Sequence, residues 1–159
     1  MISFEKVNNI PGVDRVFRFE NLYISSQPSN ETLEWVRDQS INKVINLRDL
    51  DEMDFEFERN FCEKNQIDYH QFPITCNGNF ITENLKKLNQ LIENKSENYF
   101  IHCGSANRVI AWLLTYLPSH KNISFIDSEK MVREMGLTND NFIDQARNIS
   151  LVWFIQRDW

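Results

Sequence analysis

The sequence predicts an α/β protein with a mainly parallel central sheet and helices on both faces of that sheet. Three observations predict it. Short Val/Ile/Leu-rich or aromatic runs, "NKVINLR" and "YFIHC", are of the kind that forms strands buried on both faces. Segments between such runs carry apolar residues at helical spacing. Strand and helix alternate at least three times, without a repeat, a low-complexity tract or a linker, so residues 1–159 read as one domain.

In chain order, "RVFRFENLYIS" (Arg15 to Ser25) alternates around the polar pair Glu20-Asn21 and predicts a hairpin. Ser29 or Asn30 caps the following helix, "NETLEWVRDQS", whose buried side is expected to carry Leu33, Val36 and Trp35. "NKVINLR" is the next strand. The acidic stretch after it leads into a helix with Phe57, Phe61 and Cys62 on its apolar positions. "IDYHQFPI" reads as a strand ending at Pro73, and "ITENLKKLNQLIEN" as a helix presenting Ile81, Leu85, Leu88 and Ile92 on one face. "YFIHC" then forms a buried strand, and a helix follows Arg108 with Trp112 and Tyr116 as packing residues. Two further helices close the chain. One runs near Ser124 to Met135 and stops at Gly136; the other starts after Asn139-Asp140 and is expected to turn Phe142, Ala146, Ile149, Val152 and Trp153 inward.

Composition narrows the function. The chain has 159 residues, enough for an ordinary core, with a hydrophobic fraction of 42% and 13% aromatic residues. A net charge of -6 offers no general attraction to nucleic acid or to an anionic membrane, so an anionic ligand would have to be captured locally. The N-terminal stretch lacks the pattern of a secretory signal, and no run reaches the ~18 apolar residues of a membrane span, which predicts a cytoplasmic protein. The three cysteines, Cys62, Cys76 and Cys103, have no C-x-x-C spacing, and no metal site or cofactor is expected from them.

The stretch "YFIHCGSANRVIAWLL" carries the chemistry. A strand that ends in a loop opening a helix aims backbone N–H groups and the positive end of a helix dipole at one point, and anions bind there. A cysteine at the strand end is favoured as a thiolate by that field and by a nearby cation. An arginine in the first helical turn supplies a planar fork for a tetrahedral oxyanion. In open α/β sheets such sites lie beyond the carboxyl ends of the strands. The arrangement suits covalent attack on phosphorus, or carriage of sulfur as a persulfide. Of the other thiols, Cys62 belongs to an apolar helix stripe and reads as core.

With "NLYISSQPSNETLEWVRDQSINKVINLR" upstream, "FIHCGSANRVIAWLL" resembles the cysteine-phosphatase superfamily, specifically the bacterial dual-specificity-phosphatase-like domains also called beta-lactamase-hydrolase-like. The similarity covers about Asn21 to Tyr116. It implies a cysteine-phosphatase-like fold with extra C-terminal helices, Cys103 as nucleophile, Arg108 as phosphate ligand, Gly104, Ser105, Ala106 and Asn107 as the anion loop, and His102 as a residue supporting the thiolate. The implied partner is a phosphorylated small molecule or a phosphoprotein.

The departures are specific. Four residues separate Cys103 from Arg108 where the usual phosphatase loop has five, a count the resemblance implies for this bacterial subfamily and one shared with rhodanese-like sulfurtransferases. Val109 follows the arginine in place of the usual hydroxyl residue. The loop "FPITCNGNF", where such phosphatases keep an aspartic acid, has no carboxylate. Asp49, Asp51, Glu52 and Asp54, after the second core strand, are the substitutes to be considered, and Arg48 is a candidate rim residue that an ion pair with Asp51 or Glu52 would also explain. Cys76 falls in the acid's loop and is a candidate redox partner for Cys103, on the expectation that Asn77, Gly78 and Asn79 let the loop move. Three readings are open: a phosphatase, a persulfide carrier, or a module that binds phosphorylated ligands with weak turnover.

Overall fold

A computed structural model describes residues 3–157. Its elements are β1 (Glu5–Lys6), β2 (Val16–Phe19), β3 (Leu22–Ser25), α1 (Asn30–Asp38), β4 (Lys43–Asn46), α2 (Glu56–Lys64), β5 (Asp68–Gln71), β6 (Thr75–Cys76), β7 (Asn79–Phe80), α3 (Thr82–Leu91), β8 (Tyr99–His102), α4 (Asn107–His120), α5 (Phe125–Glu134) and α6 (Asp140–Arg157). The main sheet has the order β1-β2-β3-β8-β4-β5. β3, β8, β4 and β5 run parallel, and β1 and β2 extend the β3 edge as antiparallel strands.

Strand alternation sorts the side chains of β8 onto two faces. Tyr99 and Ile101 join a core cluster with Leu85 and Leu88 of α3 and with residues of α4, α5 and α6. Phe100 points the other way, into a second cluster with Val36 of α1, Cys62 of α2, Val44 and Tyr23. The sheet is therefore covered on both sides, and its central strand is the one that carries Cys103. The α1 start is fixed by Ser29, whose hydroxyl accepts from the Thr32 N–H while the Thr32 hydroxyl accepts from the Ser29 N–H.

Several details depart from the sequence reading. Trp35 is only half-buried and packs edge-on against Tyr23, their ring centroids 5.7 Å apart. On α2 the buried positions are Glu58 and Cys62, next to Phe55, while Phe57 is half-buried. Ile81 is the half-buried residue before α3. The strand through residue 68 ends at Gln71, before Pro73, and the segment beyond Pro73 is a pinned hairpin rather than a mobile loop. Asn77 and Gly78 both take positive φ, 52° and 78°, the pairing that a two-residue type I′ turn requires, and β6 and β7 pair across it. Gln145 of α6 holds this hairpin, donating to the Gly78 carbonyl at 2.9 Å and accepting from the Phe80 N–H at 2.8 Å. Finally, Val152 is exposed rather than inward, together with Leu151, Phe154 and Ile155. The last turns of α6 are apolar all round, so periodicity does not choose a face there. Among the described residues, no helix is long and apolar enough to cross a membrane.

Candidate active site

Cys103 directly follows the last residue of β8, between the ends of β3 and β4. Its N–H donates to the Ser25 carbonyl at 3.3 Å, the Gly104 carbonyl accepts from the Gln27 N–H at 3.0 Å, and the His102 carbonyl accepts from the Leu47 N–H at 2.9 Å. Both neighbouring strands thus hold the turn out of the sheet. Cys103 is fully buried, as is Ala106, whose φ of 78° places it in the left-handed region directly before α4. An alanine in that region costs of order 1 kcal/mol, so the surrounding bonds must hold it there. The N–H groups that open a helix lack intrahelical partners, which makes Gly104, Ser105, Ala106 and Asn107 a short loop leading into unsatisfied donors.

Arg108 lies across this loop. Its Nη1 and Nη2 each donate to one oxygen of Glu52 at 2.7 Å, a bidentate pair. Glu52 is shared: its Oε1 also accepts from Arg48 Nε at 3.1 Å, and its Oε2 from the Asp49 N–H at 2.7 Å. The hydrogen bond from Arg108 is the main cause that pulls the Glu52 carboxyl from its ordinary 4.5 to about 2, against the opposing effect of partial burial. Arg108 is pushed up in turn, chiefly by Glu52, with the Cys103 thiol also favouring its charged form. Gly104 lies against both guanidiniums: a Cβ there would crowd Arg108 Nη2 at 3.3 Å and touch Arg48 Cζ at 3.7 Å.

The other acidic candidates shape the backbone. The Asp49 side chain accepts from the Asp51 N–H at 3.2 Å, and Asp54 accepts from the Glu56 N–H at 2.9 Å where α2 begins. Glu52 is the carboxylate brought onto the arginines. With Arg108 as its partner the carboxyl is ionised at neutral pH, and in this arrangement it is the counter-ion of the two arginines.

Behind the loop runs a polar chain that the sequence reading missed. His102 Nε2 meets Glu58 Oε2 at 2.8 Å, with both side chains fully buried. Glu58 Oε1 accepts from Gln27 Nε2 at 2.7 Å, and Gln27 Oε1 accepts from Arg48 Nη1 at 3.0 Å. Arg48 and Arg108 then share Glu52. Burial would raise the Glu58 carboxyl, but attraction to His102 and hydrogen bonds from His102, Gln27 and Tyr69 outweigh it and hold the group below 4.5. His102 is thus the partner of a buried carboxylate, beyond its contact with the Cys103 carbonyl at 3.3 Å. The signal for Glu58 was present, since it interrupts an apolar helix stripe between Phe55 and Cys62. Cys76 is exposed on the pinned hairpin, whereas burial, aided by the Glu58 charge, pushes the Cys62 thiol up to about 12. Among the described residues, no group of three or more His, Cys, Asp or Glu side chains is placed to hold a metal ion.

No family model matches the sequence, and no curated protein matches it. Solved structures do share its fold. TpbA from P. aeruginosa aligns with a TM-score of 0.70 at 17% identity, covering 93% of this chain and 95% of that one. PTPMT1, in complex with PI(5)P, aligns at 0.71 and 13% identity over 86% and 94% of the two chains. The core catalytic domain of the PP-IP phosphatase SIW14 from S. cerevisiae, in complex with citrate, aligns at 0.68 and 17% identity over 80% and 79%. The chain has the fold of the cysteine phosphatases.

Proposed function

We propose that the protein is a cysteine-dependent phosphomonoester hydrolase, with Cys103 as nucleophile and Arg108 as phosphate ligand. One observation carries this reading: a cysteine at the end of the central parallel strand opens a short loop into α4 while two guanidiniums, Arg108 and Arg48, converge over that loop. The Cys103 thiolate attacks phosphorus, the P–O bond to the leaving group breaks, and the leaving alkoxide or phenoxide takes a proton from water. Water then attacks the phosphocysteine, releasing inorganic phosphate and returning the thiolate. Phosphate displaces Glu52 from Arg108 on binding, and the N–H groups before α4 and the freed guanidinium then hold the equatorial oxygens as charge redistributes.

The segment matching the usual acid loop is the β6–β7 hairpin, which has no carboxylate. Aryl phosphates, whose leaving groups need little protonation, are therefore the expected good substrates. Alkyl esters should be slower by about 10²- to 10⁴-fold, the usual worth of a general acid. A phosphotyrosine-like ester fits this preference, and a cysteine-to-serine variant of TpbA has been solved in complex with pTyr. The test is release of phosphate from an aryl phosphate by wild type and Cys103→Ser, with acid-quench trapping of a phosphocysteine. Equal rates from both proteins would remove Cys103 from the mechanism. A one-sulfur mass gain on Cys103 after incubation with thiosulfate, with no phosphatase activity, would establish the persulfide carrier instead. Tight phosphate binding without turnover would leave a phospho-ligand binding module.

A further inference from the structure

Arg15 stands at the entry to β2, far from Cys103 in sequence, and had no place in the sequence reading. Its Nη1 donates to the Ser105 carbonyl at 2.7 Å and to Asn107 Oδ1 at 3.1 Å. Those residues flank Ala106, so one guanidinium nitrogen straddles the left-handed alanine. The Nη2 of the same side chain donates to the Met135 carbonyl, the C-cap of α5, at 2.7 Å. Arg15 is itself anchored, because its carbonyl accepts from the Ser26 N–H at 3.0 Å. Gly136 completes the fit: a Cβ there would stand 3.0 Å from Arg15 Nη2, and its φ of 105° already disfavours any other residue.

We propose that Arg15 is a positioning residue that clamps the anion loop in its phosphate-accepting shape and ties that loop to the end of α5. The proposal rests on the phosphatase reading of the site and adds to it a residue outside the Cys103–Arg108 segment. Alanine disfavours a positive φ because its Cβ crowds the carbonyl, so Ala106 relaxes unless its neighbours are held. If Ala106 relaxes, the peptide planes on both sides of it rotate, and the N–H groups that face the anion turn away. The clamp acts by fixing the Ser105 carbonyl and the Asn107 side chain on the side facing Arg15. Because its other hand grips α5, the C-terminal helices are structurally continuous with the catalytic loop.

The clamp makes a prediction that simple charge does not. Arg15→Ala removes both the fork and the charge; Arg15→Lys keeps the charge but cannot span three acceptors in one plane. Ala106→Gly makes the left-handed backbone cost-free. The experiment measures the affinity of each variant for inorganic phosphate and vanadate by calorimetry, together with kcat and KM for an aryl phosphate and a thermal melt. The expected result is that Arg15→Ala and Arg15→Lys both weaken oxyanion binding by about tenfold or more, the scale of loss for small misplacements at an active site. Arg15→Ala should cost much less affinity when introduced beside Ala106→Gly than when introduced alone, so that the double variant Arg15→Ala/Ala106→Gly recovers most of what Arg15→Ala loses. Wild-type affinity in Arg15→Lys, or no recovery in the double variant, would overturn the clamp and leave Arg15 as a remote charge. A wild-type protein that binds neither oxyanion would instead overturn the phosphatase reading beneath it. A variant that melts early yet still binds oxyanion as wild type assigns Arg15 to stability alone and also overturns the proposal.

Discussion

The carboxylate of Glu52 is the most connected group at the candidate site, since two arginines and a backbone N–H converge on it. Its carboxyl titrates near 2 in the folded chain against an ordinary 4.5, so its contribution to stability is complete above 4.5 and is lost as the pH falls toward 2. Urea midpoints measured between pH 5 and about pH 2 should therefore fall less for Glu52→Gln than for wild type. Identical acid limbs would show that the ion pair is not maintained in solution. Glu58 presents the buried counterpart. Replacing it by Leu leaves His102 facing an apolar side chain and removes one of the two acceptors of the Gln27 amide, and leaving a buried polar group without its partner costs about 1–3 kcal/mol. A loss below about 1 kcal/mol in a denaturant titration would mean that the Glu58 contacts do not stabilise the fold.

At the scale of elements, two glycines with nearly the same φ separate strain from space. Gly12 has a φ of 73°, and a Cβ there would lie 1.8 Å from the Ser29 hydroxyl that caps α1. Gly78 has a φ of 78° in the β6–β7 turn, with nothing within 4 Å of the added atom. Gly78→Ala should cost about 1 kcal/mol, the penalty of the left-handed backbone alone. Gly12→Ala should cost that and a further ~1 kcal/mol as the capping box opens. The measurement is the pair of denaturant midpoints, and equal losses would mean that the cap survives. The same elements show what a sequence can display. Apolar runs reveal strands, and the β2–β3 hairpin, α1, β4, β8 and the C-terminal helices all lie where the residues placed them. The β6–β7 hairpin carried its Asn-Gly turn in plain view, but strands of two residues are too short for alternation to show. The Cys103–Arg108 segment was legible because its geometry is local. Arg15 was not, because its partners lie 90, 92 and 120 residues away and nothing local marks them.

For the molecule as a whole, the two thiols outside the anion loop report on different depths. Cys76 is exposed, while Cys62 is buried with its thiol pushed up to about 12. A thiol reagent at neutral pH should label Cys76 in the native protein at once and Cys62 only on global unfolding, so the Cys62 rate should match the global unfolding rate. Mass mapping of the labelled peptides checks this, and fast native labelling of Cys62 would show that the α1–α2 side of the sheet opens locally. A final consequence lies in the strand order. β8 is the last strand of the sheet to be made, yet it sits between β3 and β4, pairing Tyr99 with both Leu22 and Lys43. The two flanking strands cannot reach each other without it. Until residue 102 is available, a growing chain carries two separate half-sheets, each with an open apolar edge, and such non-local closure is slow and exposed to aggregation. The residue read as the nucleophile therefore stands at the end of the strand that closes the sheet, and chains stopped before Tyr99 should self-associate rather than persist as monomers.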